Sequence, residues 1–554
     1  MRRLPEFAHE VFSFMSFSRK TLLPTFALGL SALATLAHAD NLAVWTAPSL
    51  HRVGMTEPAG NGSQASLWAA RGEYESFQIV VNGGSKGLSH VNVTLTDLAG
   101  PDGQAIPKSS FTLYREKYMH VTSSSPNWKG SNQPRGTGWY ADALIPFNDP
   151  ETGKPLSGAQ ISAVPFDLKA GDNQPIWVDL LVPRDAKAGK YSATYTVTSD
   201  QGNFSGNVAL TVWNFTLPTA PSLKSSFLFF QAGSLAADRE LLRNKLSPLS
   251  ANPQDQADLM KNYGLSTTHI GPFSGADIGR CSMSPAPSAA QYQALAAAQQ
   301  KGLMLYSYSA DEIGHCSNLY PTIKQWAHNM HQAGVKNLIS MSPTPALYDD
   351  GSGTGRSAVD IWVMLPVMYN NSAARVKEVL HKGDTVWSYN TLVQDAYSPK
   401  WLIDFDPIDF RIQPGFISQS LNLTGMLYWR VDRFGSDPWN NINNAGTFSG
   451  SNYPGEGMLV YPGQQVGVKG VVASMRVKWL RDGVEDYDYV EILKKLGKED
   501  VAMQISRSVG PDWTNWSRDP NAIENARKKL GETIDALMTA APAKAADGTA
   551  AAAE

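Results

Sequence analysis

From Asn41 to about Pro218 apolar and polar residues alternate in short runs: Phe77-Ile79-Val81, Val91-Val93-Leu95, Ile176-Val178-Leu180 and Tyr191-Ala193-Tyr195-Val197, separated by Gly, Pro, Asn and Asp. A strand turns successive side chains to opposite faces, so period two between turn residues marks strands buried on one side. Their repetition at these intervals predicts an N-terminal β-sandwich. Its closing strand, 207–215, runs into Leu217-Pro218-Thr219-Ala220-Pro221, a proline-stiffened connector that suits a domain boundary. Beyond Ser225 the pattern becomes one of continuous apolar blocks: 227–230, 303–306, 338–341, 361–364 and 426–429. Strands that are apolar on both faces belong to a parallel sheet covered by helices. Helical spacing over 289–301, 320–333 and 372–381 alternates with the blocks, which predicts a (β/α)8 TIM-like barrel. A doubly wound sheet is the weaker reading, because no glycine-rich phosphate loop opens any of the helices. From Ser474 the chain reads helical, with Val477, Leu480, Val484, Tyr487 and Val490 at core-facing spacing.

The fold class expected is therefore multidomain β plus α/β. It divides into a signal segment (1–39), a sandwich (40–220), a barrel (221–498), C-terminal helices (499–539) and an Ala-rich low-complexity tail (540–554). Arg19-Lys20 precedes an apolar run from Leu22 to Ala37, and Ala37-His38-Ala39 places small residues where an export signal is cleaved, after Ala39. A periplasmic or secreted protein is expected, with no spanning segment in the mature chain, since no other stretch reaches the roughly 20 apolar residues that a spanning helix needs. Of the 554 residues, 42% are hydrophobic and 18% charged, enough to bury a sizeable core. With 47 Lys+Arg against 50 Asp+Glu the net charge is −3, which supplies no basic field for nucleic acid.

Cys281 and Cys316 are the only cysteines, and in an oxidising compartment they can form one disulfide. They are too few and too far apart for a cysteine zinc site, and His328 and His331 read as solvated helix positions. Asp349-Asp350-Gly351-Ser352-Gly353 lacks the ligand spacing and terminal Glu of an EF-hand and reads as a polar loop. No metal and no cofactor are expected.

In a barrel the reactive groups stand at the carboxyl ends of strands. Tyr306-Ser307-Tyr308-Ser309-Ala310-Asp311-Glu312 carries an aromatic strand straight into two adjacent carboxylates. Neighbouring carboxylates repel one another, which favours keeping one protonated, as a general acid requires. An acidic helix N-terminus gives the same two letters and stays open as a reading. Aromatic residues at other expected strand ends accompany further carboxylates: Trp387 and Tyr389, Tyr428 and Trp429 followed by Asp432, and Trp439 after Asp437-Pro438. Flat aromatic faces beside carboxylates suit sugar rings, and Tyr308, Trp387, Tyr389, Tyr428, Trp429, Asp432 and Trp439 are the candidate substrate contacts. The same residues are also common packing residues.

Several segments in order resemble the catalytic domain of the glycoside hydrolase 123-like proteins. They are Trp401-Leu402-Ile403-Asp404, Ile408-Asp409-Phe410-Arg411, Gly425-Met426-Leu427-Tyr428-Trp429, Asp437-Pro438-Trp439, Gly455-Glu456-Gly457 through Pro462-Gly463, Ser474-Met475-Arg476, and Leu480-Arg481-Asp482-Gly483 through Tyr489. Arg71-Gly72-Glu73-Tyr74-Glu75-Ser76-Phe77-Gln78 resembles that family's leading domain. The resemblance implies a sandwich followed by a barrel, and a retaining exo-glycosidase that releases N-acetylgalactosamine with the substrate's own acetamide as nucleophile. Its adjacent acidic pair matches Asp311, which would polarise the amide, and Glu312, which would be the acid and base; an aromatic hydroxyl such as that of Tyr389 or Tyr428 would orient the acetamide. Where the family follows its pair with Pro, this chain has Ile313-Gly314-His315-Cys316; Arg430 and Asp432, and Pro414-Gly415-Phe416, are further departures. The 481–489 motif is read as structural. Two alternatives remain: a conventional glycosidase pairing Glu312 with Asp404 or Asp432, and a non-catalytic polysaccharide-binding protein.

Overall fold

The computed structural model describes residues 42–443 and 447–540; the expected signal segment and the tail past residue 540 lie outside them. In chain order the first strands are β1 (Ala43–Pro48), β2 (Gln64–Arg71), β3 (Tyr74–Asn82), β4 (Leu88–Leu95), β5 (Leu98–Ala99), β6 (Ala105–Ile106), β7 (Phe111–Val121), β8 (Gly138–Pro146), β9 (Phe166–Leu168), β10 (Asn173–Leu181), β11 (Gly189–Ser199) and β12 (Gly202–Thr216). They form two sheets, one ordered β1-β3-β10-β7-β8 and the other β2-β12-β11-β4-β9, the latter with β5 and β6 attached. The alternation works as read: Phe77, Ile79, Val81, Ile176, Val178 and Leu180 of the first sheet meet Val93, Tyr195, Val197, Val208 and Leu210 of the second in one core.

The other face of the first sheet is buried too, and it carries polar groups. Asp142, Ser76 and Asp179 stand there, facing the helix Met475–Lys495. That helix was expected to bury one stripe, yet it is buried almost all round, because it lies between sandwich and barrel. A buried charge must be paired, and these are. Arg476 grips Asp142 at 2.8 and 2.9 Å, and Arg481 and Lys478 reach Asp179 at 3.0 and 2.9 Å. Asp486 takes Arg411 at 2.7 Å. Gly483 lets the chain pass: a Cβ there would lie 2.4 Å from the Arg411 carbonyl oxygen. The 481–489 motif therefore clamps the layers together.

The second half contains β13 (Lys224–Phe227), β14 (Thr267–His269), the small hairpin β15 (Ala276–Asp277) and β16 (Ser282–Met283), then β17 (Met304–Asp311), β18 (Lys336–Ser340), β19 (Ile361–Met364), β20 (Thr385–Tyr389) and β21 (Gly425–Tyr428). Seven of these pair in parallel in the order β13-β21-β20-β19-β18-β17-β14, a nearly closed barrel sheet. The gap between β13 and β14 is spanned by 247–249. Phe227 donates to Ser247 O at 2.9 Å, Leu249 to Phe227 O at 3.0 Å, and His269 to Leu249 O at 2.8 Å. Inside the sheet Tyr306, Leu338, Ile361, Val363, Trp387 and Leu427 fill the interior.

Helices occupy Ala289–Ala297, Tyr320–His331 and Ala373–Lys382, where the spacing placed them, and Glu499–Val509 and Pro520–Ala540 follow the clamp helix. The apolar run 227–230 is corrected in register: β13 ends at Phe227, and Phe230 emerges into solvent. His331 is also corrected. Its side chain is only 7% exposed, with the ring nitrogens 2.7 Å from Asp350 and 2.9 Å from Asp360. The expected disulfide Cys281–Cys316 is present and ties the β15–β16 hairpin to the loop after Glu312.

Candidate active site

Strict alternation along β17 would turn Asp311 to the face opposite Tyr306 and Tyr308. A bulge prevents it. Tyr308 pairs with Leu338 and Ala310 with Ile339, so Ser309 is an extra residue that reverses the parity of the positions after it. Asp311 consequently joins Tyr308, whose hydroxyl donates to Asp311 Oδ1 at 2.7 Å. Ser340, at the end of β18, donates to the same oxygen and lies 2.7 Å from the Tyr308 hydroxyl. The remaining oxygen, Oδ2, has no partner among the described residues.

Glu312 sits differently. Its φ is +49°, a left-handed backbone that costs a residue with a Cβ roughly 1–3 kcal/mol and persists only when its surroundings enforce it. Here its N–H donates to Ser340 O at 3.1 Å and Ile313 beside it is fully buried. The turn projects the Glu312 side chain outward, where Tyr389 at the end of β20 donates to Oε1 at 2.6 Å. Glu312 and Tyr389 line a cavity of about 550 Å³ with Ser340, Met341, Leu365 and Arg375. Burial pushes the Tyr389 hydroxyl far above its ordinary range, reinforced by Glu312, Asp311 and Glu456, so this hydroxyl is a donor at any working pH. Burial and then Asp311 do the same for Tyr308. Neither carboxylate is in an ion pair among the described residues. The pair therefore sets two carboxylates in one turn, each held through one oxygen by a hydroxyl donor and each with its second oxygen unbonded among the described residues; Glu312 lines the cavity and Asp311 stands beside it in the chain.

The other expected contacts divide. Trp429 is half-buried, its indole Nε1 donating to Glu456 at 2.6 Å, with the Arg433 guanidinium 6.0 Å from its ring. Tyr308 and Tyr389 belong to the pair's surroundings. Four expectations are corrected by burial. Trp387 packs inside the barrel edge-on to Tyr306, at 6.0 Å. Tyr428 is fully buried, donating to Glu456 at 3.4 Å and accepting from Gly457 N at 3.0 Å, so it is not free to orient an acetamide. Trp439 is buried between sandwich and barrel against Tyr461 and donates to Pro462 O. Asp432 is fully buried and accepts the backbone N–H groups of Phe230, Gln231 and Ala232. Asp404, the other carboxylate considered as a partner for Glu312, is equally occupied: Ser125 N and Oγ donate to it at 2.8 Å each, and neither residue lines the cavity.

Two residues escaped the sequence reading. Ser340 interrupts the apolar block 338–341, and that lone hydroxyl was the available signal. Glu456 is buried and accepts from Thr391 Oγ1 at 2.9 Å, Leu392 N at 2.8 Å, Trp429 and Tyr428. Its burial raises its pKa against these four donors. It stands in the Gly455-Glu456-Gly457 segment, but nothing in the letters told which groups it would join.

Residues 54–199 match the glycoside hydrolase 123 N-terminal domain and residues 353–493 the glycoside hydrolase 123 catalytic domain; the acidic pair lies between the two matched segments. No curated protein sequence matches the chain. Among solved structures, a family 123 glycoside hydrolase from Clostridium perfringens, described in connection with glycolipid glycan hydrolysis, is 13% identical. The match covers 90% of this chain and 99% of that one with a TM-score of 0.60, a likeness of fold. A Parabacteroides merdae β-glucuronidase (9% identity, 70% and 47% covered, TM-score 0.25) and a termite-gut xylanase with an Ig-like domain (11%, 57% and 90%, 0.27) are too distant in shape to argue from.

Proposed function

Because the chain belongs to glycoside hydrolase family 123 and is a glycoside hydrolase, we propose that it releases a terminal 2-acetamido sugar, N-acetyl-β-galactosaminide-like, from a glycan, with retention. The observation that carries this is the position of both carboxylates in a single turn at one strand end. A conventional retaining enzyme sets its carboxylates about 5–5.5 Å apart on opposite sides of the bond, which neighbours in one turn reach poorly. The buried, fully engaged Asp404 and Asp432 offer no alternative partner. A substrate acetamide supplies the missing nucleophile.

In this mechanism the acetamide oxygen attacks the anomeric carbon as the glycosidic bond breaks, forming an oxazolinium-like ring. Asp311, its Oδ1 held by Tyr308 and Ser340, takes the amide N–H on Oδ2 and stabilises the positive charge that grows there. Glu312 gives its proton to the departing oxygen, then takes one from the water that opens the ring, so configuration at the anomeric carbon is retained. Tyr389 holds Glu312 in the orientation both transfers need. Trp429 is assigned to the apolar face of the sugar.

The parallel sheet closed by 247–249 is read as a (β/α)8 barrel, with this site at its carboxyl face. A glycan such as those of glycolipids, the substrate of the Clostridium perfringens enzyme, is the class assigned. Export to the periplasm or beyond is assigned from the N-terminal signal pattern, in keeping with a disulfide beside the site. The test is chromophore release from paired aryl N-acetyl-β-galactosaminide and aryl β-galactoside by wild type and Glu312→Gln. Turnover of the acetamido substrate alone, lost in the variant while binding persists, is expected; turnover of the plain galactoside refutes acetamide participation.

A further inference from the structure

Away from the cavity, at the carboxyl ends of β13 and β14, two large apolar side chains stand in solvent: Phe230, 58% exposed, and Phe273, 42%. Both are held in place. The turn bearing Phe230 hangs by three backbone N–H groups on the buried Asp432, and the Arg430 guanidinium lies 5.3 Å from its ring. The Phe273 loop is bonded onto the acidic strand itself, Ser274 N to Tyr308 O and Gly275 N to Ser309 O, both at 2.8 Å. Its ring meets the Tyr308 ring edge-on at 5.1 Å, and the Tyr308 hydroxyl is the donor to Asp311. One side chain separates Phe273 from the catalytic carboxylate.

Beside Phe273, at 6.3 Å, is the ring of His269, which is only 8% exposed. Its Nε2 is buried and has no partner among the described residues. Desolvation lowers its pKa to about 4, keeping it neutral. An exposed aromatic face fixed one side chain away from the acidic pair is a surface on which the apolar face of a sugar ring can stack.

We infer that Phe273, flanked by Phe230, is the stacking platform for the sugar unit on the leaving-group side of the scissile bond. This rests on the glycosidase reading of Asp311 and Glu312. A bond lying across that pair places the terminal sugar in the cavity of β17–β20 and the next unit on the opposite flank, where Phe273 is. Binding there helps the reaction only when a leaving sugar is present.

The test compares two substrates of whichever glycosyl series the wild type hydrolyses: the glycosyl fluoride, whose leaving group occupies no subsite, and the glycoside of a disaccharide. Phe273→Ala is expected to lower kcat/KM for the disaccharide substrate about tenfold more than for the fluoride, the scale of one aromatic stacking contact, any loss shared by both substrates reporting the packing of Phe273 on Tyr308. Phe273→Trp is expected to retain both. Equal loss on the two substrates, or none on the disaccharide, overturns the inference. A wild type that prefers a series without acetamide refutes the acetamide reading instead, and the Phe273 comparison is then made in that series.

Discussion

Removing a single oxygen, as in Tyr389→Phe, tests how Glu312 works. Tyr389 is almost fully buried, so phenylalanine fills the same space and leaves no cavity; what disappears is the hydroxyl donated to Glu312 Oε1 at 2.6 Å. Hydrogen bonds to a carboxylate contribute about 1.5–3 kcal/mol, equivalent to roughly 10–150-fold in rate if the bond is needed in the transition state. The size of the loss should depend on the leaving group. A dinitrophenyl aglycone departs with little protonation, whereas a sugar aglycone needs a proton from Glu312. We expect kcat/KM for an unactivated disaccharide to fall about 10–100-fold and that for the dinitrophenyl glycoside by less than about threefold. Stopped assays on both substrates, with circular dichroism to verify folding, provide the comparison. Equal losses would mean that Tyr389 binds sugar and does not orient the acid, and no loss on either would remove it from the mechanism.

Arg481→Met leaves Asp482 and part of Asp179 buried without its cation and should cost roughly 3 kcal/mol, read as a lower urea midpoint; a change under about 1 kcal/mol would refute the clamp assignment. Cys281→Ser with Cys316→Ser opens a loop of sequence separation 35, and an unfolding free energy lower by about 3–4 kcal/mol is expected; equal stability with and without reductant would contradict it. His269 has its pKa lowered by burial from 6.5 to about 4, so between these values the unfolded chain binds more protons, and stability falls as pH drops through the window. The loss approaches about 3 kcal/mol at pH 4, and His269→Gln should flatten the wild-type slope measured by denaturant titration between pH 6.5 and 4; an unchanged slope would refute it. Glu456→Gln forces an amide N–H₂ against donors on both sides, so binding should weaken through Trp429, raising KM about tenfold with kcat changed little; a pure kcat loss would place Glu456 elsewhere in the mechanism.

Elements whose burial depends on neighbours in sequence were legible. Period two gave the strands around Ile79, Val93, Ile176 and Tyr195, and continuous apolar blocks gave β17, β18, β19 and β21, because a strand's faces are set by backbone geometry whatever it packs against. The pair Asp311–Glu312 was visible because two carboxylates ending an aromatic strand have no apolar explanation. Tertiary structure decided the rest. The helix at 475–495 looked half-exposed, since its charges find their partners hundreds of residues away, Arg476 on Asp142 and Arg481 on Asp179. Trp387, Tyr428, Asp432 and Trp439 were expected at a sugar for the same reason. Composition says that a Trp or an Asp is present, and only packing says whether its face meets substrate or core. The bulge at Ser309 and the left-handed turn at Glu312 carry no sequence mark, yet they bring Asp311 onto the face of Tyr308 and send Glu312 toward Tyr389. The sequence thus specified which chemical groups the site owns, while their orientation came from a one-residue slip enforced by β18.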